Sequence, residues 1–204
     1  MIEPAELLLS LAEIAVALAG FSGLIVAIRA TAADDWHPRD IWSLSWMMGA
    51  SVGVLFLALF PLWFTGFGLG ELIAYRVSGA VASVYCGVFL VLMTSIGRML
   101  TRRGYPRRIP FFPTAMVSLL GVALVAVVAV ASGLTPPTRI HGFYTGGLVA
   151  LLLVASLALA VFLVLLARTV QARRDDPRVT MTAEASSDSA ATGAPTDEQT
   201  GNGG

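Results

Sequence analysis

The chain has 204 residues, of which 56% are hydrophobic and 13% charged. Soluble domains carry about 25% charge, so most of this chain has no place in water. All 13 basic residues are Arg, and Cys86 is the one cysteine, which excludes an internal disulfide and a cysteine-cluster metal site.

Five apolar runs, roughly 5–28, 44–64, 72–96, 111–131 and 143–167, each reach the ~20 residues that cross ~30 Å of hydrocarbon. They lack the period-two alternation of a porin-type barrel and are too long and uniform for the core helices of a soluble domain. The expected fold is therefore an all-α bundle of five transmembrane helices over 1–178, followed by a tail over 179–204. The start, Met1-Ile2-Glu3-Pro4-Ala5-Glu6, has no basic segment, so the first helix is expected to be an uncleaved span.

The second helix should begin at Pro38, since proline suits the first turn, with Trp36, Trp42 and Trp46 at headgroup level. Pro61 removes a backbone hydrogen bond and should bend that helix near its far end. The link 66–70 is Gly-rich and leaves no room for a domain. A basic turn, 102–110, joins helices three and four, and Thr135-Pro136-Pro137-Thr138 closes helix four. Beyond Arg178 the chain is rich in Ser, Ala, Thr, Gly and acids and has no aromatic residue. Such a segment buries too little apolar surface to offset its ordering entropy, so a solvated, disordered terminus is expected.

Charge sets the expected orientation. The first loop, the third loop and the C-terminal segment share one side and hold all Arg residues except Arg76 and Arg139. Basic residues mark the cytoplasmic side, which puts the N-terminus outside and the C-terminus in the cytoplasm.

Small residues recur at four-residue spacing on three helices: Ala15, Ala19 and Gly23 on the first, Gly49 and Gly53 on the second, Gly79, Ser83 and Gly87 on the third. This spacing lets helix backbones approach closely where no hydrophobic effect drives association. Helices one to three are expected to form the tight centre, and the Val- and Leu-rich fourth and fifth helices the periphery.

Two serine patterns suggest catalysis. Gly20-Phe21-Ser22-Gly23 matches the core of rhomboid intramembrane proteases, and Gly49-Ala50-Ser51-Val52-Gly53 matches a nucleophile elbow. A serine nucleophile needs a base in hydrogen-bond reach, yet His37 and His141 are expected in loops on opposite faces of the membrane, and the elbow needs a strand-to-helix turn. The same two histidines cannot share a metal. No cofactor-binding motif is present, so an enzyme is not expected. The basic stretch Arg98, Arg102, Arg103, Arg107 and Arg108 fixes topology and is a candidate contact for anionic lipid headgroups; nothing beyond charge points to nucleic acid.

Glu13 is the costly group, a carboxylate well inside a span. It lies about 13 Å into the first helix at ~1.5 Å per residue, and Arg76 about 7 Å into the third. Both helices run from outside to inside, so a Glu13–Arg76 pair is the expectation, with Arg139 a second candidate partner. Glu13 shares a face with Ala17 and Gly20.

The segment Ala12-Glu13-Ile14-Ala15-Val16-Ala17-Leu18-Ala19-Gly20-Phe21-Ser22-Gly23 resembles the start of small bacterial multi-pass inner-membrane proteins of unassigned function. That resemblance implies a bacterial inner membrane and carries no catalytic residue across. Two readings stand. The first is a non-enzymatic membrane component acting through helix association, with a second copy or another membrane protein in the bilayer. The alternative is a small ion- or proton-coupled transporter or channel using Glu13.

Overall fold

The structure, a computed structural model, describes residues 3–31, 38–104 and 111–174. It is all-helical among these residues: α1 (Pro4–Thr31), α2 (Pro38–Gly66), α3 (Glu71–Arg102), α4 (Phe112–Ala131) and α5 (Ile140–Arg174), with a 3-10 turn, Pro137–Arg139, leading into α5. Each of the five carries a stretch long and apolar enough to cross a membrane. The chain divides into a unit over Met1–Leu163, which holds all the packing below, and a second unit from Val164 onward, whose described part is the end of α5. The tail expected over 179–204 lies outside the described residues.

Element starts follow local chemistry. Pro38 opens α2 and Pro113 sits in the first turn of α4, where a missing N–H costs no intrahelical bond. α2 ends in a Schellman turn: Leu69 N–H reaches Phe64 O (3.2 Å) and Gly68 N–H reaches Thr65 O (2.9 Å), with Gly68 at φ +83°. α3 runs on past Ile96 to Arg102, and α5 begins at Ile140 and continues to Arg174. A helix satisfies its own backbone and has no reason to stop where the apolar run does.

α1 packs on α2, α2 on α3, and α3 on α4. α5 reaches three of them: Tyr144 bonds α2, Tyr75 of α3 lies edge-on to Tyr144 at 5.5 Å, and Gly147 meets α4. Of the most apolar window of each span, 44% is buried in α2 and in α5, against 28% in α1, α3 and α4. The expectation that helix five is peripheral is corrected here. α5 is as buried as α2, because Tyr144, Leu148, Leu151, Ala155 and Ala158 form one buried face that uniform apolarity conceals in the sequence.

The expected kink residue has a specific partner. Pro61 lacks the N–H that would bond the carbonyl four residues earlier, that of Leu57. The fully buried Tyr144 hydroxyl donates to that same Leu57 oxygen at 2.6 Å. A side chain from α5 thus replaces the backbone bond that α2 gave up. In a bilayer a carbonyl so freed costs several kcal/mol if left bare, so neighbouring helices supply donors.

The tryptophans also depart from expectation. Trp46 is fully buried and Trp42 nearly so, within an aromatic cluster in which Trp42 meets Trp46 at 6.0 Å and Phe112 at 6.2 Å, and Trp46 meets Phe89 at 5.3 Å. Trp42 Nε1–H donates to Met93 O at 3.1 Å. Both residues are packed inside the bundle, because α3 carries the Phe89 ring and the Met93 carbonyl at their level. Trp36 lies outside the described residues.

Candidate functional site

α1 is the helix whose two faces make the least sense for a lone chain in lipid. Its buried side carries Leu8, Leu11, Ala15, Ser22 and Ile25. The opposite side, exposed throughout, carries Glu6, Ser10, Glu13, Ala17, Gly20 and Ala27, with Leu24 the one large residue in the row. These positions fall on a single stripe at 3.6 residues per turn. A Cβ added at Gly20 or at Gly23 would meet nothing within 4 Å. On a surface that also exposes Leu9, Ile14, Val16 and Phe21, this row is small and polar and bears a carboxylate.

Glu13 and Arg76 are not brought together. Among the described residues Glu71 Oε1 stands 3.4 Å from His141 Nε2. The Arg76 guanidinium lies instead over Gly133, where an added Cβ would stand 3.3 Å from Nη2. Gly133 follows the end of α4 with φ +74°, so Arg76 sits at the negative end of that helix's dipole. Depth along the helices, on which the expected pair rested, says nothing of azimuth, and Glu13 faces away from the helix that α1 packs on. Arg139, in the 3-10 turn, is exposed and likewise unpaired with Glu13.

At the same end of the bundle, Glu3, Thr65, Glu71 and Tyr75 line a cavity of about 190 Å³. His141 adjoins it through Glu71, and its ring is edge-on to Tyr75 at 4.5 Å. The serines of the two tempting motifs stand apart from this histidine. Ser22 Oγ donates to Ala19 O within its own helix at 2.5 Å, and Ser51 Oγ is buried with no hydrogen-bond partner. His37 lies outside the described residues. Ser78 Oγ is a further buried hydroxyl, beside Tyr144.

The small residues divide by what fills the space beside them. Gly49 and Gly53 seat the rings of Phe89 and Tyr85 rather than a helix backbone, and Tyr85 donates to Gly49 O at 2.5 Å. Gly79 permits a true backbone approach, its Cβ position lying 3.1 Å from Ala131 N and 3.2 Å from Val127 O of α4. Ala15 is fully buried and Ala19 half-buried, while Ser83 bonds back to Gly79 O at 2.7 Å. Gly23 and Gly87 have open space beside them. Two close approaches escape the four-residue pattern: an added Cβ would stand 3.3 Å from Ala123 O at Gly147 and 3.0 Å from the Trp42 ring at Gly97. Gly147 follows Gly146 and Gly97 precedes Arg98, and neither has a small partner four residues before it.

A cavity of about 280 Å³ lies where the N-terminal ends of α2 and α4 meet the C-terminal end of α3. Trp42, Trp46, Gly97, Arg98, Thr114 and Val117 line it. Of the basic residues singled out in sequence, Arg98, Arg102 and Arg103 are exposed at this end of α3; Arg107 and Arg108 lie outside the described residues. Among the described residues there is no group of three or more His, Cys, Asp or Glu able to hold a metal.

Comparison with protein families, with curated proteins and with solved structures finds no match to this chain. Its class rests on the fold: a multi-pass helical membrane protein with five candidate spans.

Proposed function

We propose that this chain is a non-enzymatic component of a bacterial inner membrane, with its N-terminus outside and its C-terminus in the cytoplasm, that works by helix association through α1. The observation that carries the reading is the exposed stripe Glu6, Ser10, Glu13, Ala17, Gly20 and Ala27. Small residues allow a second helix to approach, and Ser and Glu side chains hydrogen-bond across such an interface. A carboxylate on a lipid-facing surface costs at least ~2.5 kcal/mol near mid-span, a cost that a partner helix relieves. The asymmetric Arg distribution supports the orientation, and the resemblance of the first helix to bacterial inner-membrane proteins supports the location.

The second reading, ion- or proton-coupled transport through Glu13, draws on the same carboxylate and on the buried hydroxyls of Ser51 and Ser78. Glu13 faces outward from the bundle and not toward those hydroxyls, which favours association.

The test places a photo-crosslinking residue at Ala17 or Leu24 on the stripe, and at Val84 on the exposed side of α3, in native membranes. Association predicts a protein adduct of defined mass from α1 and lipid adducts alone from Val84. The mass distinguishes a second copy from another protein. Lipid adducts alone from α1, with a reconstituted ion flux lost in Glu13→Gln, would replace this reading by transport.

A further inference from the structure

The cavity between the N-terminal ends of α1 and α3 and the C-terminal end of α2 presents hydrogen-bond acceptors. Glu3, just ahead of α1, and Glu71, in the first turn of α3, bring two carboxylates, which when ionised only accept. Thr65 spends its hydroxyl proton on the carbonyls of Pro61 (3.0 Å) and Leu62 (2.9 Å), so toward the cavity it can only accept. His141 Nε2 stands 3.4 Å from Oε1 of Glu71 and leaves Oε2 for the cavity. The helix dipoles alone would account for acids at two helix starts; they do not account for Tyr75. That residue is 4% exposed, and its ring is closed in by His141 and Tyr144, edge-on at 4.5 and 5.5 Å. Its hydroxyl makes no hydrogen bond among the described residues and is not sealed from the surface. The end of the side chain therefore opens on the cavity that Tyr75 lines, and an oxygen so placed calls for a partner. No basic or amide side chain is among the described residues that line the space, and Pro4 and Leu62 give it apolar walls.

We propose that this cavity binds a primary ammonium group, that of a free alkylamine or of an aminophospholipid headgroup. An ammonium offers three donors and no acceptor, the complement of this set. Two of its protons go to Glu3 and Glu71 and the third to the Tyr75 hydroxyl oxygen, while Pro4 and Leu62 cover its first carbons. A metal ion is the poorer fit, because no three acid, His or Cys groups among the described residues converge to hold one, and the walls are apolar. The assignment is independent of association through α1 and of which side of the membrane this end faces.

The experiment uses the full chain in phosphatidylcholine nanodiscs at fixed pH, with 3-fluorotyrosine in place of tyrosine. The Tyr75 fluorine resonance is assigned by its loss in Tyr75→Phe. n-Propylammonium chloride should move that resonance saturably in the millimolar range and leave the Tyr85 resonance in place. Tetramethylammonium, of equal charge but without N–H donors, should not move it. Glu3→Gln and Glu71→Gln should each weaken binding about tenfold, as the loss of a charge-assisted hydrogen bond does. Glu3 is exposed, so Glu3→Gln carries the test even where Glu71→Gln, beside His141, disturbs the fold. Phosphatidylethanolamine in the nanodisc that moves the resonance without added amine supports the proposal with a headgroup as source; a response to propylammonium alone supports it with a free amine. No saturable shift, a shift that tetramethylammonium reproduces, or one that survives both substitutions overturns the proposal. A shift that magnesium chloride produces at lower concentration than the amine assigns the pocket to a metal ion and overturns it as well.

Discussion

Tyr144→Phe removes one oxygen and keeps the ring, and with it the edge contact to Tyr75. What is lost is the 2.6 Å bond to Leu57 O, the carbonyl that Pro61 leaves without its backbone partner. Leaving a buried acceptor unsatisfied costs ~1–3 kcal/mol, while hydrogen bonds between helices in bilayers average ~0.6 and reach ~1.7 kcal/mol. The expected loss is thus about 1–1.5 kcal/mol, at the upper end of the membrane range because both residues are buried. The decisive comparison is a cycle with Pro61→Ala. Alanine restores an N–H that reaches Leu57 O, so in that background Tyr144→Phe should cost under ~0.5 kcal/mol, giving a coupling of about 1 kcal/mol. The measurement is reversible unfolding in mixed micelles followed by helicity. Costs of Tyr144→Phe that agree to within ~0.3–0.5 kcal/mol in the two backgrounds would show that the hydroxyl does not stand in for the missing amide.

Gly79→Leu and Gly147→Leu should each destabilise the bundle by at least ~1–3 kcal/mol, since their Cβ positions lie against α4 backbone; Gly121→Leu, with open space beside it, should be near neutral in the same unfolding assay. Gly20→Leu and Glu13→Gln should leave monomer unfolding within ~0.5 kcal/mol of wild type and reduce crosslinking from α1; a loss of monomer stability instead would place that face inside the bundle. Reporter fusions should place Asn202 and the 102–108 turn in the cytoplasm and Gly68 and Pro137 outside; an active periplasmic phosphatase at the C-terminus reverses the orientation.

Composition and run length determined the five helices and their class, because a bilayer admits only segments that satisfy their own backbone and present apolar side chains for its full thickness. Pro38 at the start of α2 was legible for a similar reason: a missing N–H and a fixed φ act locally. Pro61 announced a freed carbonyl, but which side chain would meet it depended on a hydroxyl 87 residues away. The sequence also placed Glu13, Ala17 and Gly20 on one face, a matter of helical period alone. It could not say whether that face turns to α3 or outward. Nor could it say whether Gly49 meets a backbone or a ring, or that Arg76 lies over Gly133. In membrane helices that are apolar all round, periodicity marks no inward side, so azimuth is decided by side-chain shape and polar partners across helices. Only the tertiary structure, by fitting Tyr144 to Leu57, Gly79 to α4 and Phe89 to Gly49, decides which faces are filled and leaves the polar stripe of α1 open.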